Sequence, residues 1–222
     1  MNSVAWSKDP SRLASASFDS TVKIWDPVTG QCVSTLEGHS DLVNSVAWSN
    51  DSNRLASAST DYTVKIWDPT TGKCVLTFAG HGKTVNSVAW SNNSARLASA
   101  SGDWLSKREN KDCTVKIWDL VTAQCVLTLE GHSSSVKSVA LSHDSTRLAS
   151  MSYDTIKIWN PVTGKCVSTL EFGHPTRYLQ FHNSDSDLLY TGHGTINSRH
   201  VQIGPLALLL VMIYHPTLLD MA

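Results

Sequence analysis

Serine, histidine and aspartate, the side chains of a hydrolase's nucleophilic triad, recur along this chain at regular intervals. Each of three histidines follows a glycine, in Gly38-His39, Gly80-His81 and Gly131-His132. An active site is asymmetric, whereas this set returns in copy after copy of a repeat. We therefore interpret these residues as internal bracing, and we predict no catalytic residue and no enzyme activity.

Other motifs that carry chemistry are missing from the sequence. It contains no GxxxxGKS/T loop to cradle phosphates and no CxxC or HxxxH pair with the spacing of metal ligands. Four of the five cysteines occupy the same place in successive repeats, namely Cys32, Cys74, Cys125 and Cys166, and Cys113 stands alone. We expect all five to be reduced, and the four to serve as small core hydrophobes. No cofactor and no metal are predicted.

The composition is that of an ordinary globular protein. Of 222 residues, 41% are hydrophobic and 17% are charged, and 18 Lys+Arg against 19 Asp+Glu give a formal net charge of -1. Without a positive excess, we expect no binding to nucleic acid. The first residues lack a basic segment followed by an apolar one, so we expect a cytoplasmic protein.

The chain is built from repeats, which decide its organisation. Each landmark of the first copy returns 42 positions later in the second, so that Trp6 becomes Trp48 and Trp25 becomes Trp67. A third copy carries about nine extra residues, 102–110, and a fourth is one residue short in its second turn. The predicted repeats are 2–37, 38–79, 80–130 and 131–171, followed by a degenerate segment, 172–197, and an apolar tail, 198–222.

Each copy divides into four short strands separated by turns. In the first copy the strand-forming runs are 3–7, 12–17, 21–25 and 31–36, which are rich in alternating, small, β-branched or aromatic residues. The cluster Pro27-Val28-Thr29-Gly30 is typical of a turn. No run has helical periodicity. Four antiparallel strands per repeat predict one blade of an all-β propeller.

These landmarks resemble the WD40 repeat. The Gly-His pairs precede the first strand of repeats two to four, and Trp25-Asp26, Trp67-Asp68 and Trp118-Asp119 close the third strand of repeats one to three. The first repeat has no Gly-His, because the chain begins inside it, and the fourth ends in Trp159-Asn160. The resemblance implies a WD40 propeller with four full four-stranded blades and a partial, divergent fifth. Since the usual seven blades need about 300 residues, we expect a fragment of a larger propeller.

In WD40 blades a histidine, a serine or threonine, an aspartate and a tryptophan form a buried tetrad, and the resemblance implies the same structural tetrad here. A buried indole N–H, imidazole and carboxylate each need a hydrogen-bond partner. The serine stays unassigned, since Ser57 and Ser59 lie on the same strand face. The implied members are Asp19 and Trp25; His39, Asp61 and Trp67; His81 and Trp118; and His132, Asp154 and Trp159.

Positions that differ between the copies indicate a partner-binding face. The copies differ just before the first strand and in the turn between the second and third strands. In WD40 blades both connections emerge on the same face of the propeller. Drift at exposed loops is the alternative explanation. The insertion adds a tryptophan and an arginine, which are typical of interface hot spots, unless it is an artefact of the gene structure. The predicted partner-binding residues are Phe18, Asp41, Lys83, Trp104, Arg108 and Tyr153.

A rigid platform with variable loops predicts a non-catalytic scaffold whose partners are other proteins. The phrases VAWS, RLASAS and TVKIWDP resemble the C-terminal repeat arrays of fungal NACHT–WD40 incompatibility receptors, which implies the ligand-sensing region of a STAND-type receptor. One alternative is a WD40 adaptor similar to mitochondrial-fission adaptors. Another is a hydrolase hidden in the C-terminal part.

Two expectations concern surfaces. The apolar run 206–214 is about half as long as the roughly 20 residues of a membrane-spanning helix, so no membrane insertion is predicted. An incomplete ring of blades leaves apolar blade faces without neighbours, which predicts self-association.

Overall fold

Each repeat forms one sheet. The strands direct successive side chains to opposite faces, so each sheet has two faces that can pack against neighbours. In the second repeat, Val46 and Trp48 lie in one core cluster while Ala47, between them, contacts another. The computed structural model describes residues 1–103, 112–171, 178–192 and 194–198. Strands and turns make up this part of the chain, and it contains no helix that is long and apolar enough to cross a membrane.

Five antiparallel sheets are present in the described residues, four with four strands and one with three. We call them blades 1 to 5 in chain order. The predicted all-β fold, with four full blades and a partial fifth, is confirmed. The strands are β1 (Ser3–Trp6), β2 (Leu13–Ala16), β3 (Val22–Trp25), β4 (Cys32–Leu36), β5 (Val43–Trp48), β6 (Leu55–Ser59), β7 (Thr63–Trp67), β8 (Cys74–Ala79), β9 (Val85–Trp90), β10 (Arg96–Ser101), β11 (Val115–Asp119), β12 (Gln124–Leu129), β13 (Ser138–Leu141), β14 (Leu148–Met151), β15 (Thr155–Trp159), β16 (Cys166–Glu171), β17 (Leu179–Phe181), β18 (Leu188–Thr191) and β19 (Gly194–Asn197).

The strands of each blade follow one another as antiparallel neighbours, and the first strands of successive blades contact each other along the inside. A bulge interrupts the pairing of the third and fourth strands in every full blade. In blade 2, Ile66 pairs with Leu76 and Trp67 pairs with Cys74, so Val75 has no partner across the strand. Such bulges twist an outer strand and limit its pairing with other chains.

The expectation that the repeated cysteines are core hydrophobes is wrong. Each lies at the start of an outer strand, beside the bulge, where the sheet has no neighbour to cover it. Cys113 alone among the five is buried, and none of the five forms a disulfide. The exposed cysteines are Cys32, Cys74, Cys125 and Cys166.

The core is divided among the junctions between neighbouring blades. Each full blade has a leading face, which points to the preceding blade, and a trailing face, which points to the following blade. At the first junction, Ala14, Ile24 and Leu36 of blade 1 pack against Val46 and Trp48 of blade 2. Because the later junctions repeat this arrangement, burial of apolar surface between blades is the main stabilising contribution.

Asparagine side chains join the same junctions. An asparagine at the beginning of the first strand of one blade, or just before it, donates its side-chain amide N–H to a backbone carbonyl of the next blade. These bonds run from Asn2 to Val43, from Asn44 to Val85 and from Asn86 to Val136, at 2.9, 3.0 and 2.9 Å.

The two ends of the row of blades differ. Blade 5 covers the trailing face of blade 4, since Leu179, Phe181 and Leu189 belong to the same core cluster as Met151. The three strands of blade 5 fall within the predicted degenerate segment, 172–197, while residues 199–222 of the predicted tail lie outside the described residues.

The leading face of blade 1 is open to solvent. Val4 and Trp6 are 53% and 56% exposed, whereas their counterparts Val46 and Trp48 are 5% and 6% exposed. Equivalent residues therefore differ only in whether a neighbouring blade covers them.

This contrast predicts unequal costs for one substitution at equivalent positions. Val88→Ala, at the junction of blades 2 and 3, should lower the free energy of unfolding by about 2 kcal/mol, because it removes buried methyl groups and leaves a cavity. Val4→Ala should change it by less than about 0.5 kcal/mol. Urea unfolding measures both, and equal losses would contradict the assignment of the blade junctions.

Candidate functional site

The candidate site lies where each Gly-His pair meets the turn between the second and third strands. In blade 2, His39 precedes β5, Asp61 lies between β6 and β7, and Ser57 and Trp67 lie on those strands. Gly38 has a φ of +145°, and a Cβ there would lie 3.4 Å from the ring of Trp67. Glycine is therefore favoured both by its backbone conformation and by the closeness of the indole.

The four side chains of blade 2 form one continuous chain of hydrogen bonds. Trp67 Nε1 donates to Ser57 Oγ at 2.8 Å, Ser57 Oγ lies 2.7 Å from His39 Nε2, and His39 Nδ1 lies 2.8 Å from Asp61 Oδ2. With His39 neutral and protonated on Nδ1, every polar atom in the chain has a partner. Ser57, which the sequence left undecided, is the serine of this set, while Ser59 donates to the carbonyl oxygen of Asp41.

Blade 3 repeats the arrangement with an aspartate that sequence reasoning missed. His81 Nε2 lies 2.7 Å from Ser99 Oγ, Trp118 Nε1 donates to the same oxygen at 2.8 Å, and His81 Nδ1 lies 2.9 Å from Asp112 Oδ2. The signal was available, since Asp112 occupies the place of Asp61 once the inserted residues are passed over.

Blade 4 requires a correction. His132 Nε2 and Trp159 Nε1 each lie 2.7 Å from Ser150 Oγ. The other ring nitrogen, His132 Nδ1, lies 3.1 Å from Thr155 Oγ1, so Thr155 and not Asp154 is its partner. Asp154 instead accepts hydrogen bonds from serines, among them Ser152 at 3.1 Å. The missing residue in this turn draws Asp154 away from the position that Asp61 occupies in blade 2.

Blade 1 contains only part of the set. Trp25 Nε1 donates to Ser15 Oγ at 2.8 Å, and no histidine contacts this serine in the described residues. Asp19 accepts from the Thr21 hydroxyl at 2.7 Å, within its own turn. The structure thus brings Trp25 and Asp19 into separate hydrogen bonds.

Burial and hydrogen bonding shift the pKa values within these sets. Burial lowers the pKa of His39 despite the neighbouring Asp61 carboxylate. Burial and nearby Lys157 lower the pKa of His132 to about 4. Burial opposes ionisation of Asp61, but hydrogen bonds from Thr63 and His39 outweigh it and lower its pKa. A neutral imidazole beside an ionised carboxylate is therefore the favoured state in blade 2.

The order Ser57, His39, Asp61 matches that of a nucleophilic triad, but the serine cannot act as a nucleophile here. Ser57 is fully buried, and its oxygen already accepts a hydrogen bond from the indole of Trp67. A triad serine must reach a substrate carbonyl from an open cleft. The arrangement supplies cross-bracing between strands and loops. The hydrolase alternative concerns the C-terminal part, most of which lies outside the described residues.

The tetrads also position the loops. Asp61 accepts the backbone N–H of Ser40 at 3.1 Å, and Thr60 N donates to Leu42 O at 2.9 Å. The segment before each blade and the turn between its second and third strands therefore lie together. We call this end of the blades the loop face.

Four of the predicted partner-binding residues lie in the loop-face segments. Phe18, Asp41 and Tyr153 are exposed, and Lys83 Nζ lies 3.8 Å from Asp103 Oδ2. The other two, Trp104 and Arg108, lie outside the described residues. An exposed aromatic that the sequence analysis overlooked is Tyr62, next to Asp61 in the turn of blade 2. No group of three or more possible metal ligands is found within the described ranges.

Comparison with known proteins identifies the repeats independently. The chain matches the family described as "WD domain, G-beta repeat" over residues 1–26, 30–68, 72–119 and 123–160, more than half of its length. It matches no curated protein.

The tetrads predict that Trp67 contributes strongly to stability. Trp67→Ala should lower the free energy of unfolding by about 3 to 5 kcal/mol, because it removes buried packing and leaves Ser57 without a donor. Lys65→Ala, on the same strand, removes one exposed hydrogen bond to Thr77 and should cost far less. Denaturant unfolding compares the two variants, and similar losses would count against the proposed bracing.

The lowered pKa of His132 predicts a pH-dependent stability. Its value of about 4 lies below the 6.5 of an unfolded histidine, so the unfolded chain binds more protons between these pH values. The contribution of the neutral imidazole is complete above pH 6.5 and is lost as the pH falls towards 4, by on the order of 3 kcal/mol.

The test compares urea unfolding at pH 7.5 and pH 4.5. The difference in stability between the two pH values should shrink in His132→Gln and persist in the control His143→Gln, because His143 is exposed. An unchanged pH dependence in His132→Gln would refute the role given to this imidazole.

Proposed function

Because the chain belongs to the WD40 repeat family, we propose that it is a non-catalytic scaffold that binds other proteins through its loop face. WD40 repeats in general support protein interaction. The tetrads described above serve the scaffold by fixing where the loops lie.

One observation carries the proposal: the loop face presents an exposed aromatic side chain from each of three blades. These are Phe18 in blade 1, Tyr62 in blade 2 and Tyr153 in blade 4. Aromatic side chains are enriched in protein interfaces because they bury much area at a small entropic cost. Two charged residues alternate with these aromatics along the chain, the negative Asp41 and the positive Lys83.

Rigidity of the loops supports the same function. The Gly-His segments are tied to the neighbouring turn by Asp61 in blade 2 and by Asp112 in blade 3, which accepts the backbone N–H of Gly82 at 2.7 Å. A surface that is ordered before binding loses less conformational entropy when a partner docks.

The finer proposal is a sensing platform of the kind found in fungal NACHT–WD40 receptors. The near-identical repeat phrases support it, as do the differences between the copies in the loop-face segments. A net charge of -1 favours proteins over nucleic acid as partners. The exposed free thiols suit a reducing compartment such as the cytoplasm.

Self-association belongs to the same proposal. The open apolar face of blade 1 is of the kind that soluble proteins cover with another chain.

A loop-face variant tests the proposed function. Phe18→Ala, Tyr62→Ala and Tyr153→Ala in one chain should remove partners that the unchanged chain captures from a lysate, while stability changes by no more than about 0.5 kcal/mol per exposed residue. Captured proteins are compared by quantitative mass spectrometry.

The matched control replaces three exposed valines in turns between the third and fourth strands, at the opposite end of the blades, with Val28→Ser, Val121→Ser and Val162→Ser. This variant should keep its partners. Residues such as Asp51 are unsuitable controls, because its carboxylate accepts the Ser49 hydroxyl at 2.6 Å and holds its own turn. Loss of partners from the valine variant alone would place the binding surface at the wrong end of the blades.

A further inference from the structure

The leading face of blade 1 carries the apolar side chains of Val4, Trp6, Leu13 and Trp25, together with the polar Ser15 and Lys23, which pair in the row of Val4. Trp6 pairs with Leu13, and Leu13 pairs with Trp25, so these side chains share one side of the sheet. In blades 2 and 3 the counterparts of Trp25 are buried, and a glycine lies against the ring of each. No described residue covers Trp25 in this way.

The interior junctions show what such a face needs. Trp48 Nε1 donates to Ala5 O at 3.1 Å, and the indole packs in one cluster with Ala5 and Ala14, which face each other across β1 and β2. We call such a pair an alanine seat, because its small side chains leave room for the bulky residue of the next blade. The four full blades carry the seats Ala5–Ala14, Ala47–Ala56, Ala89–Ala98 and Ala140–Ala149.

Each of these seats is occupied by the following blade. Trp48 and Trp90 fill the first two, and Leu141 and Phe181 lie in the clusters of the third and fourth. A second copy of the chain therefore has no vacant seat in its four full blades.

Blade 5 lacks an alanine seat. Gln180 and Tyr190 pair at the position of the two alanines, and both are exposed. The Tyr178 hydroxyl donates to Gln180 Oε1, and the ring of Tyr190 lies 5.6 Å from that of His182. Polar and aromatic side chains thus fill the place that an incoming indole would take.

We propose that the leading face of blade 1 docks against the leading face of a second copy of this chain. The inference rests on the proposed self-association and names its surface. Among the described residues, the open blade faces are the leading face of blade 1, where Val4 and Trp6 are exposed, and the trailing face of blade 5, where Tyr190 is exposed beside Gln180. Contact between two leading faces buries Val4 and Trp6 of both copies. A head-to-tail contact, in which the leading face of blade 1 meets the trailing face of blade 5 of another copy, places Trp6 against Gln180 and Tyr190.

A surface that binds itself produces a closed dimer. The contact is isologous, so each leading face is used once and no further copy can be added. Four apolar side chains per copy form a small contact, so the dimer dissociates on dilution. A head-to-tail contact would instead continue from copy to copy.

Sedimentation of the full chain over a dilution series tests the proposal. The mass should rise from that of one chain to that of two and go no higher. Val4→Ser with Trp6→Ser should raise the dissociation constant at least about tenfold. The matched control, Val28→Ser with Phe18→Ser, changes residues that are 93% and 62% exposed but lie in turns of blade 1, and it should dimerise as the unchanged chain does.

Four results would overturn the proposal. Growth beyond two copies, or weakened association in Tyr190→Ser, would show a head-to-tail contact with blade 5. Association that survives Val4→Ser with Trp6→Ser would place self-association on another surface. A chain that remains monomeric at every concentration would refute both the inference and the proposed self-association, while partner binding by the loop face would be unaffected.

Discussion

A four-stranded blade with two apolar faces is stable only when a neighbour covers it, and the rest of this structure depends on that constraint. Each junction buries the trailing face of one blade against the leading face of the next. The residue types follow directly: small alanines on one face, and valine and tryptophan on the other. The same constraint explains why one sequence phrase gives a buried Val46 and an exposed Val4.

Buried polar groups at the junctions also require hydrogen-bond partners, and the tetrads meet this requirement. Ser57 accepts the indole N–H and contacts the imidazole, and Asp61 completes the chain at the edge of the loop face. The interaction that braces the blade therefore also orders the segment proposed to meet a partner. An arrangement that resembles a catalytic triad in residue type serves here to position loops.

Much of the fold could be predicted from sequence because the repeats expose their own periodicity. The strands and the turns follow from landmarks that recur in register, and the pairing of His39 with Asp61 follows from the resemblance of those landmarks to the WD40 repeat. Prediction was less successful where one copy departs from the others. Asp112 was missed beyond the insertion, and Asp154 was wrongly placed because a one-residue deletion changes which side chain reaches the imidazole of His132.

The cysteines show a second limit, because strand alternation alone does not tell whether a face is covered. Cys74 is exposed because it lies beside a bulge on the outer strand β8. Both features depend on how the blades pack, and the sequence around the cysteine does not show that packing. The alanine seats were likewise invisible until pairs such as Ala5 and Ala14 were seen to face one another across two strands.

Hydrogen exchange of backbone amides tests most directly the claim that neighbouring blades stabilise one another. Strands β2, β6 and β10 share the sequence Leu-Ala-Ser-Ala and the same place in their sheets, but among the described residues neighbouring blades cover both faces of the sheets of β6 and β10 and one face of the sheet of β2. At concentrations where the chain is monomeric, amides of β6 and β10 should exchange more slowly than those of β2, because opening them requires the loss of two junctions. Equal protection in the three strands, or slower exchange in β2, would contradict the account.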